Sequence, residues 1–325
     1  MKILTNHGGQ SSSPTWEKFT TFIPPAGNGW LASLMLAVKM YRRRGSYDCV
    51  VLGAGRSDFM FAVMQSLLPF RRVPCVMIDC LWYRQPSRAR FMLGKFMKKL
   101  AGRGVDAFMV WSSREIEAYS GTFGIPRSKF VFVPYHTTAD PGVAASEGDY
   151  IFSGGNFGRD YPTLIEAVRG LPVKVFIAST RPELFAGLQI SENVDVRGYS
   201  GRGFREKMAG CRISVVALDA RLLHSGGQQT FLNSMWYGKP TIVTDPEGAA
   251  DYIRHGDDGL LVPCGDRAAL RQAILTLLED PEAARRMGLR AREKAEDYST
   301  EEHFKKIVSM VRELLERKKK HSGRH

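Results

Sequence analysis

The stretch YIFSGGNFGRDYPTLIEAV, residues 150–168, decides the fold. It begins with an apolar run, passes through a glycine-rich turn and continues with apolar residues at helical spacing, at Leu164, Ile165 and Val168. This order predicts a strand, a tight turn and an amphipathic helix. The same alternation of short β-branched runs and helical patterns extends along the chain in both directions, which predicts βαβ units around parallel sheets.

Near-continuous apolar runs recur on both sides of this stretch, as is typical of parallel strands covered on both faces. In the first half the predicted strands are KILT at 2–5, CVVLG at 49–53, VPCVMID at 73–79, VDAFMVW at 105–111 and KFVFVP at 129–134. In the second half they are YIFSGG at 150–155, VKVFIA at 173–178, VDV at 194–196, ISVVAL at 213–218, PTIVT at 240–244 and GLLVP at 259–263. The sequence therefore predicts an α/β protein with two Rossmann-like halves in tandem.

The boundary between the halves falls at HTTADPGVAASEGD, residues 136–149, where small residues, Pro and Gly interrupt the periodicity. A chain of 325 residues also exceeds the size at which a single core usually keeps growing. We expect an N-terminal domain over residues 1–140 and a C-terminal domain over residues 147–299. Ser299 is a predicted N-cap for a last helix of about residues 300–320.

The composition favours a basic protein of the cytoplasm. Lys and Arg number 46 against 33 Asp and Glu, and the net charge of +13 can attract phosphates, anionic lipid headgroups or nucleic acid. The five cysteines lack C-x-x-C spacing, which predicts reduced core residues and no zinc site. The N-terminus is too polar for a signal peptide, and every apolar stretch falls short of the roughly 20 residues of a membrane span.

Two loops after predicted strands have the chemistry of an anion site. The first is the turn within residues 152–168, where glycines allow close approach of backbone N–H groups and Arg159 can clamp an oxyanion. The second is LLHSGGQQTFLNSMWYGKPTIVTD, residues 222–245, where Gly226 and Gly227 precede a predicted helix N-terminus. A tight turn with an exposed Arg is the alternative for the first loop. Two helix N-termini in one domain, each able to bind an anion, fit a diphosphate.

With these blocks in view, the chain resembles the retaining glycosyltransferases of the GT-B fold, in the large family-4 group. The resemblance is strongest over residues 150–300, in FSGG, GRDYPTLIEA, SGGQQTFLNSMWYGKPTIVTDPEGAADYI and DDGLLVPCGDRAALRQAI. It is weaker over WSSREIEAYSGTFGIPRSKFVFVPY, before the boundary. It implies two Rossmann-like domains facing across a cleft, with the last helix crossing back to the N-terminal domain, and transfer of a sugar from a nucleoside diphosphate sugar.

The resemblance also implies a donor site. Arg159 matches a basic residue on the diphosphate, Gly198 and Tyr199 match the segment facing the nucleobase, and residues 225–230 match the loop on the sugar and phosphates. The complete predicted donor site is Gly154, Gly155, Asn156, Arg159, Gly198, Tyr199, Ser225, Gly226, Gly227, Gln228, Gln229, Thr230 and Asn233. We expect no metal and no other cofactor, because cationic side chains and helix dipoles can neutralise the leaving diphosphate.

This sequence departs from the family where members usually carry two glutamates eight positions apart. The matching positions are Ser225 and Asn233, so both carboxylates are absent. Asn233 can still bind a ribose through its amide, whereas contact with the sugar passes to His224, Gln228 or Gln229 in this interpretation. We therefore take His224 as one candidate catalytic residue.

Asp79 is the second candidate catalytic residue. The family often has a His at the end of the strand written here as CVMIDCLW, and Asp79 is the nearest match. A carboxylate there can act as general base on an acceptor hydroxyl, which would favour inversion over the family's usual retention. A turn or cap role is the alternative. The loop HGGQSSSP, residues 7–14, follows the first strand, and His7 in it is another candidate base.

A basic stripe predicts a surface for an anionic membrane. Projected as a helix, residues 84–103 place Arg84, Arg88, Lys95, Lys98 and Lys99 on one side with Phe91. The opposite side carries Ala89, Leu93, Phe96, Met97 and Leu100, with Met92 on the border. Either the basic face rests on a lipid surface at the inner face of the cytoplasmic membrane, or it is a solvated face above a packed apolar one.

The combined prediction is a glycosyltransferase of the hexosyltransferase type. Its acceptor would be a glycan or lipid-linked glycan in bacterial polysaccharide or glycolipid synthesis. A non-catalytic scaffold that binds sugar nucleotides and a GT-B sugar-nucleotide epimerase are the alternatives, the first because both glutamates are absent. A nucleic-acid-binding role is disfavoured, because no recognised motif or aromatic stacking platform accompanies the basic residues.

Overall fold

The computed structural model describes residues 1–8, 12–25, 27–68, 72–83, 87–244 and 248–322. The chain divides into two compact units. The first comprises Met1–Pro134 together with the segment that starts at Thr300, and the second comprises Tyr135–Ser299.

The first unit is built on a six-stranded parallel sheet. Its strands are β1 (Ile3–Thr5), β2 (Thr20–Phe22), β3 (Cys49–Leu52), β4 (Cys75–Met77), β5 (Ala107–Val110) and β6 (Phe130–Phe132). They lie in the order β2-β1-β3-β4-β5-β6, and all neighbours pair in parallel. The edge strand β2 was not predicted, because its residues TTF are half-buried or exposed and lack an apolar run.

Five helices connect these strands. They are α1 (Pro14–Phe19), α2 (Trp30–Arg43), α3 (Arg56–Leu67), α4 (Arg88–Gly104) and α5 (Ser113–Phe123). Local sequence sets several of their ends: the Ser112 side chain caps α5 in a capping box with Glu115, and Gly124 ends the helix in the left-handed conformation at φ 66°.

The second unit repeats the architecture. Its parallel strands are β7 (Tyr150–Gly154), β8 (Lys174–Ala178), β9 (Val194–Arg197), β10 (Ile213–Val216), β11 (Thr241–Thr244) and β12 (Leu260–Val262), in the order β12-β11-β10-β7-β8-β9. Its helices are α6 (Tyr161–Val168), α7 (Gly201–Ala209), α8 (Gln228–Trp236), α9 (Arg267–Glu279) and α10 (Pro281–Ala295). The two parallel sheets with helices between strands confirm the predicted α/β class.

The last helix, α11 (Thr300–Ser322), belongs to the first unit. Its apolar face joins the core beneath β1 and β3, where Ile307 and Val311 are fully buried, and the ring of Phe304 stacks on Trp16 at 4.9 Å. The carboxylate of Glu301 accepts hydrogen bonds of 2.5 Å from the hydroxyl groups of Ser13 and Thr15, which ties α11 to the start of α1.

The change of unit comes earlier than the predicted domain end at residue 140. Residues 135–140 lie in the second unit. The backbone N–H of Tyr135 donates to the hydroxyl of Tyr252 at 2.8 Å, and that of Asp140 donates to the hydroxyl of Tyr237 at 3.0 Å. These tyrosines are far away in sequence, so composition alone could not place the boundary.

Helix α4 corrects the predicted orientation of the stripe at 84–103. Its apolar residues face outward, with Leu93 and Phe96 more than 60% exposed and Met92 and Met97 also exposed. Lys98 instead turns inward, where its Nζ lies 5.0 to 5.9 Å from three aromatic ring centroids, and burial lowers the pKa of its ammonium. Arg84 lies outside the described residues. No helix in the described ranges is long and apolar enough to cross a bilayer.

All five cysteines are free thiols. Cys49, Cys75, Cys80 and Cys211 are buried, and Cys264 is half-buried. Burial raises the pKa of each of the four buried thiols. They therefore behave as small apolar core residues, as predicted.

Candidate nucleotide-diphosphate site

The sheet of the second unit has a topological switch point between β7 and β10. From the central strand β7 the chain winds outward through β8 and β9, then returns to β10 on the other side of β7. Open α/β sheets bind ligands at such a point, outside the carboxyl ends of the strands. The two loops singled out in the sequence leave from these two strands.

Backbone hydrogen bonds join the two loops. The N–H of Asp160 donates to the carbonyl of Ala217 at 3.0 Å, and the N–H of Asp219 donates to the carbonyl of Gly158 at 3.1 Å. Arg159 and Leu218 form an isolated antiparallel bridge between them. The glycine-rich turn is thus held against the segment that leads to α8.

The side chain of Arg159 crosses from this turn to α8. Its Nε and Nη1 donate to the carbonyls of Gly154 and Phe157 at 2.9 and 3.0 Å, and its Nη2 donates to Oγ1 of Thr230 at 2.9 Å. Desolvation lowers the pKa of Arg159, but an arginine stays charged in proteins. A guanidinium has five N–H groups, so within the described part of the chain two remain for an anion.

Glycine is required at two positions of this site where the backbone lies close to other groups. Gly155 has φ 131°, and a Cβ there would lie 2.5 Å from Nη2 of Arg159 and 2.7 Å from its Cζ. At the start of α8, Gly227 has φ 81°, and a Cβ would lie 2.9 Å from a methyl group of Val216. Both positions would strain any other residue.

The first residue of α8 carries a buried donor. Gln228 is 3% exposed, and among the described residues its Nε2 has no hydrogen-bond partner. No side chain caps the helix at Gly227, so its first backbone N–H groups also need acceptors. A phosphate oxygen satisfies such donors and is favoured by the helix dipole.

His224 and Ser225 lie buried just before this helix. The imidazole of His224 is 6% exposed, and burial lowers its pKa to about 4. The ring is therefore neutral at pH 7, which suits it to hydrogen bonding and not to charge neutralisation of a phosphate. Ser225, in the position of the family's first glutamate, is 1% exposed.

The depressed pKa of His224 predicts acid lability. Because the unfolded chain binds a proton near pH 6.5 and the folded one only near pH 4, stability is full above pH 6.5 and falls as pH drops toward 4. The pKa difference corresponds to about 3 kcal/mol at most. Urea unfolding of wild type and His224→Gln from pH 7.5 to pH 4 measures it. The variant should lose less stability on acidification, and parallel pH curves would contradict this account.

The side chain of Asn156 makes its hydrogen bonds within the protein. Its Oδ1 accepts from the Ser179 hydroxyl and the Thr180 N–H, both at 3.0 Å, and its Nδ2 donates to Oγ1 of Thr180 at 3.0 Å. The turn after β7 is thereby fixed to the turn after β8. A Cβ at Gly198 would lie 3.9 Å from the Thr180 methyl group, so the structure brings this predicted residue to the same edge. The ring of Tyr199, next along, lies near the ammonium of Lys207 at 5.9 Å.

Asn233 and Gln229 contact a segment that the sequence did not reveal. Oδ1 of Asn233 accepts from the Thr137 hydroxyl at 2.8 Å and from the Thr138 N–H at 2.7 Å, and its Nδ2 donates to Oγ1 of Thr138 at 3.2 Å. Nε2 of Gln229 donates to the same Oγ1 at 2.9 Å. The predicted ribose contact of Asn233 stays a prediction, for which its Nδ2 has a second N–H group.

In the first unit, the two candidate bases lie together. Nε2 of His7 lies 2.8 Å from Oδ2 of Asp79, at the carboxyl ends of β1 and β4. Asp79 has φ 56° and is the one residue other than glycine with positive φ in the described ranges. The sequence suggested each residue separately and gave no sign of their pairing. No group of three His, Cys, Asp or Glu side chains suited to a metal occurs among the described residues.

Sequence comparisons find relatives over part of the chain. Residues 157–280 match the family model described as glycosyl transferases group 1. N-acetyl-alpha-D-glucosaminyl L-malate synthase of Bacillus anthracis is 30% identical over 149 residues, which cover 44% of this chain and 37% of the relative. D-rhamnosyltransferase WbpZ of Pseudomonas aeruginosa is 30% identical over 133 residues, 39% of this chain and 35% of the relative. The chain thus spans little more than a third of the length of these relatives.

Solved structures extend the likeness to nearly the whole chain. HepE of Anabaena, solved in complex with UDP, has a TM-score of 0.69 at 16% identity, over 95% of this chain and all of that one. Sucrose-phosphate synthase of Thermosynechococcus elongatus has a TM-score of 0.67 at 18% identity, over 90% of this chain and 80% of that one. The chain therefore has the GT-B fold. Within it, residues 157–280 are similar to the glycosyl transferases group 1 family.

Proposed function

We propose that the protein transfers a sugar from a nucleoside diphosphate sugar to a glycan or lipid-linked glycan of bacterial polysaccharide or glycolipid synthesis. The buried amide of Gln228 carries the proposal, because this donor without a partner belongs to the first residue of α8, the helix whose Thr230 the Arg159 guanidinium contacts. The names of the relatives support sugar transfer, and the UDP bound in the HepE structure makes a uridine diphosphate the first nucleotide to try.

In this proposal the second unit stabilises the leaving diphosphate without a metal ion. Negative charge develops on the phosphate oxygen as the bond to the sugar breaks. The positive end of α8 and the guanidinium of Arg159 are fixed before the reaction, so neither has to reorganise when the charge appears. Insensitivity of transfer to EDTA would support this part of the proposal, and loss of transfer restored by Mg²⁺ would overturn it.

A thermal-shift screen against UDP, GDP, TDP, ADP and their common sugars tests the proposal. A ligand at 100 times its dissociation constant should stabilise the fold by about 2.7 kcal/mol. Stabilisation by one nucleotide, with release of that nucleotide from its sugar, supports the transferase. Binding without turnover favours the scaffold, interconversion of the donor sugar favours the epimerase, and no binding overturns the proposal.

Gln228→Leu should have opposite effects on the stability of the protein and on its nucleotide affinity. A buried donor without a partner costs about 1 to 3 kcal/mol, so removing it should leave the ligand-free protein as stable as wild type or more stable. The same change removes a donor from the proposed diphosphate, and nucleotide affinity should fall about tenfold. Urea unfolding and nucleotide titration measure the two effects. A variant that loses stability and keeps its affinity would show that Gln228 serves the fold.

We further propose that the first unit rests on an anionic membrane through a surface made by α2 and α4, here the α2–α4 surface. It consists of eight exposed apolar residues, Trp30, Leu31, Leu34, Met35, Met92, Leu93, Phe96 and Met97. Both helices pack beside α3. Neither helix contains a carboxylate, whereas exposed arginines and lysines follow along both, at Arg42, Arg43, Arg88, Arg90, Lys99 and Arg103.

Because the apolar residues of α4 face outward, the proposed membrane contact differs from the predicted one, in which the basic face rests on the lipid. The apolar residues would enter the headgroup region, and the basic residues along their border would contact anionic lipids. Apolar stripes on a protein surface mark interaction sites, and the absence of carboxylates selects a negatively charged partner. This partner fits a protein whose acceptor is lipid-linked.

Vesicle flotation tests the α2–α4 surface. We expect the wild type to float with phosphatidylglycerol-containing vesicles at low salt and less so at high salt. The double variant Leu93→Glu with Phe96→Glu should bind at least about tenfold more weakly, since each buried large apolar side chain contributes about 1.5 to 3 kcal/mol. Leu289→Glu is the matched control, because this exposed leucine lies on α10. Equal flotation of all three proteins would refute the assignment.

A further inference from the structure

A large cavity lies at the amino edge of the sheet of the first unit. Asp48, just before β3, and Pro74, just before β4, belong to its wall, together with Tyr41 of α2 and Leu315 of α11. Its volume is about 830 Å³, within the range of small-molecule sites. Ligands of open α/β sheets bind at the opposite, carboxyl edge, so the proposed sugar transfer does not account for this cavity.

The cavity is strongly basic. The cations come from the end of α2, from the short 3-10 turn after it, from the segment before β4 and from the last turns of α11. Among the described residues that line the cavity, the cations are Arg42, Arg44, Arg72, Lys318 and Lys319, and the one carboxylate is that of Asp48. Like charges gathered from distant positions repel one another, and a cleft lined by one sign of charge attracts the opposite ion.

Asp106, just before β5, balances part of this charge. Its Oδ1 lies 2.7 Å from Nζ of Lys318 and 3.9 Å from Nη2 of Arg72. Its Oδ2 accepts a hydrogen bond of 2.9 Å from the N–H of Cys75. One carboxylate oxygen is therefore shared by two cations, which both retain N–H groups for a further acceptor.

The other cations are less compensated. Arg42 and Lys319 form no ion pair with a described residue. Oδ2 of Asp48 already accepts a hydrogen bond of 2.7 Å from the N–H of Lys2. The guanidinium of Arg44 lies 3.5 Å from the ring centroid of Tyr41, which holds this charge in place at the wall. Positive charge is thus in excess around a preformed space.

We propose that this cavity binds a ligand that carries two phosphate groups. A guanidinium matches two phosphate oxygens with two parallel N–H groups, and an ammonium adds a point charge. Five cations exceed the charge of a single phosphate, and the volume is that of a site for a whole small molecule. A free diphosphate and a lipid headgroup with two phosphates present the same groups.

This site is separate from the proposed diphosphate site of the sugar donor. All of its residues belong to the first unit, whereas Arg159 and Gln228 belong to the second. The inference therefore does not rest on the proposed function, and its test has to report on the cavity itself.

Lysine labelling with acetic anhydride, followed by mass spectrometry, gives such a readout. Pyrophosphate at about ten times its dissociation constant should slow the labelling of Lys318 about tenfold, because the bound ligand shields the ammonium. Lys305, an exposed lysine earlier on α11 that pairs with Glu302, should keep its rate. Potassium chloride at equal ionic strength is the control for screening. Pyrophosphate bound in the second unit would not change these rates.

The double variant Arg72→Gln with Lys319→Gln, here the cavity variant, tests the cations. It should raise the pyrophosphate concentration that protects Lys318 about tenfold or more, since two charged donors are lost. Arg72 is half-exposed and 3.9 Å from its carboxylate partner, and Lys319 has no ion pair with a described residue. Such weak contacts add little to stability, so the cavity variant should fold like the wild type.

The matched control is Lys18→Gln with Arg312→Gln. It removes the same two kinds of cation from the first unit. Both side chains are exposed and lie near the ring of Phe19, at 5.7 and 5.0 Å, and neither lines the cavity. Protection of Lys318 by pyrophosphate should be the same in this control as in the wild type.

Vesicles of cardiolipin in phosphatidylcholine distinguish the two sources, because cardiolipin carries two phosphate groups. Protection of Lys318 by pyrophosphate that is weakened in the cavity variant supports a site for a soluble ligand. Protection by these vesicles alone, weakened in the same variant, supports a site for a headgroup, and protection by both supports recognition of the shared phosphates. If neither protects Lys318, or if the cavity variant is protected like its control, the proposal is overturned.

Discussion

Arg159→Ala should weaken the binding of a nucleoside diphosphate by about 10- to 100-fold, measured by calorimetric titration. Hydrogen bonds to charged groups contribute about 1.5 to 3 kcal/mol, and each 1.4 kcal/mol is tenfold in affinity. The guanidinium also fixes the turn after β7 against Thr230 of α8, so its loss would loosen the site as well as remove a charge. Arg159→Lys should recover only part of the affinity, because an ammonium cannot bond these carbonyl and hydroxyl oxygens in one plane.

The control for this prediction is Arg286→Ala on α10. Arg286 is exposed and pairs with Glu282 one helical turn earlier at 3.7 Å, an interaction of small energetic weight. It removes the same charge from the same unit and should leave nucleotide affinity unchanged. If Arg159→Ala and Arg286→Ala bind the nucleotide equally well, the diphosphate lies elsewhere.

The fold was predictable because the strands that matter are buried on both faces. Strands such as β3, β5 and β10 are near-continuous apolar runs, and an apolar run between glycine-rich turns has few other interpretations. The edge strand β2 was missed, because TTF at an edge carries no burial signal. Local sequence predicts buried strands and tight turns well. It predicts strands at the edge of a sheet poorly.

Helix α4 shows why a periodic pattern does not fix orientation. The sequence separates a basic side from an apolar side but contains no information about which side meets the sheet. In the structure Lys98 lies along aromatic rings, since a lysine stem packs well on apolar surface, and Phe96 faces solvent. The usual expectation that the apolar side packs inward fails here, which is itself a reason to infer a partner for that side.

The candidate sites were predicted as separate pieces, and their connections were not. The bond between Arg159 and Thr230 spans 71 positions, and the bonds of Asn233 to Thr137 and Thr138 span 96 and 95. Nothing in one sequence marks such distant pairs. The same holds for His7 and Asp79, which only the order of strands brings together.

Gly155→Ala should damage both the stability of the second unit and its nucleotide site. The added Cβ would lie 2.5 Å from Nη2 of Arg159, and alanine would have to adopt φ 131°. Backbone strain of this kind costs about 1 to 3 kcal/mol, and displacement of a packed group adds to it. We expect urea unfolding to show a loss of about 2 kcal/mol or more.

Nucleotide affinity should fall in Gly155→Ala at least as far as in Arg159→Ala, because the methyl group occupies the space of the guanidinium. Gly203→Ala is the matched control, since Gly203 lies within α7 and its Cβ would meet its nearest neighbour at an ordinary 3.8 Å. Alanine is favoured over glycine inside a helix by about 0.5 to 1 kcal/mol, so this control should be slightly more stable than the wild type. Should Gly155→Ala match that control in both stability and affinity, the close approach of Gly155 and Arg159 would not be what shapes the site.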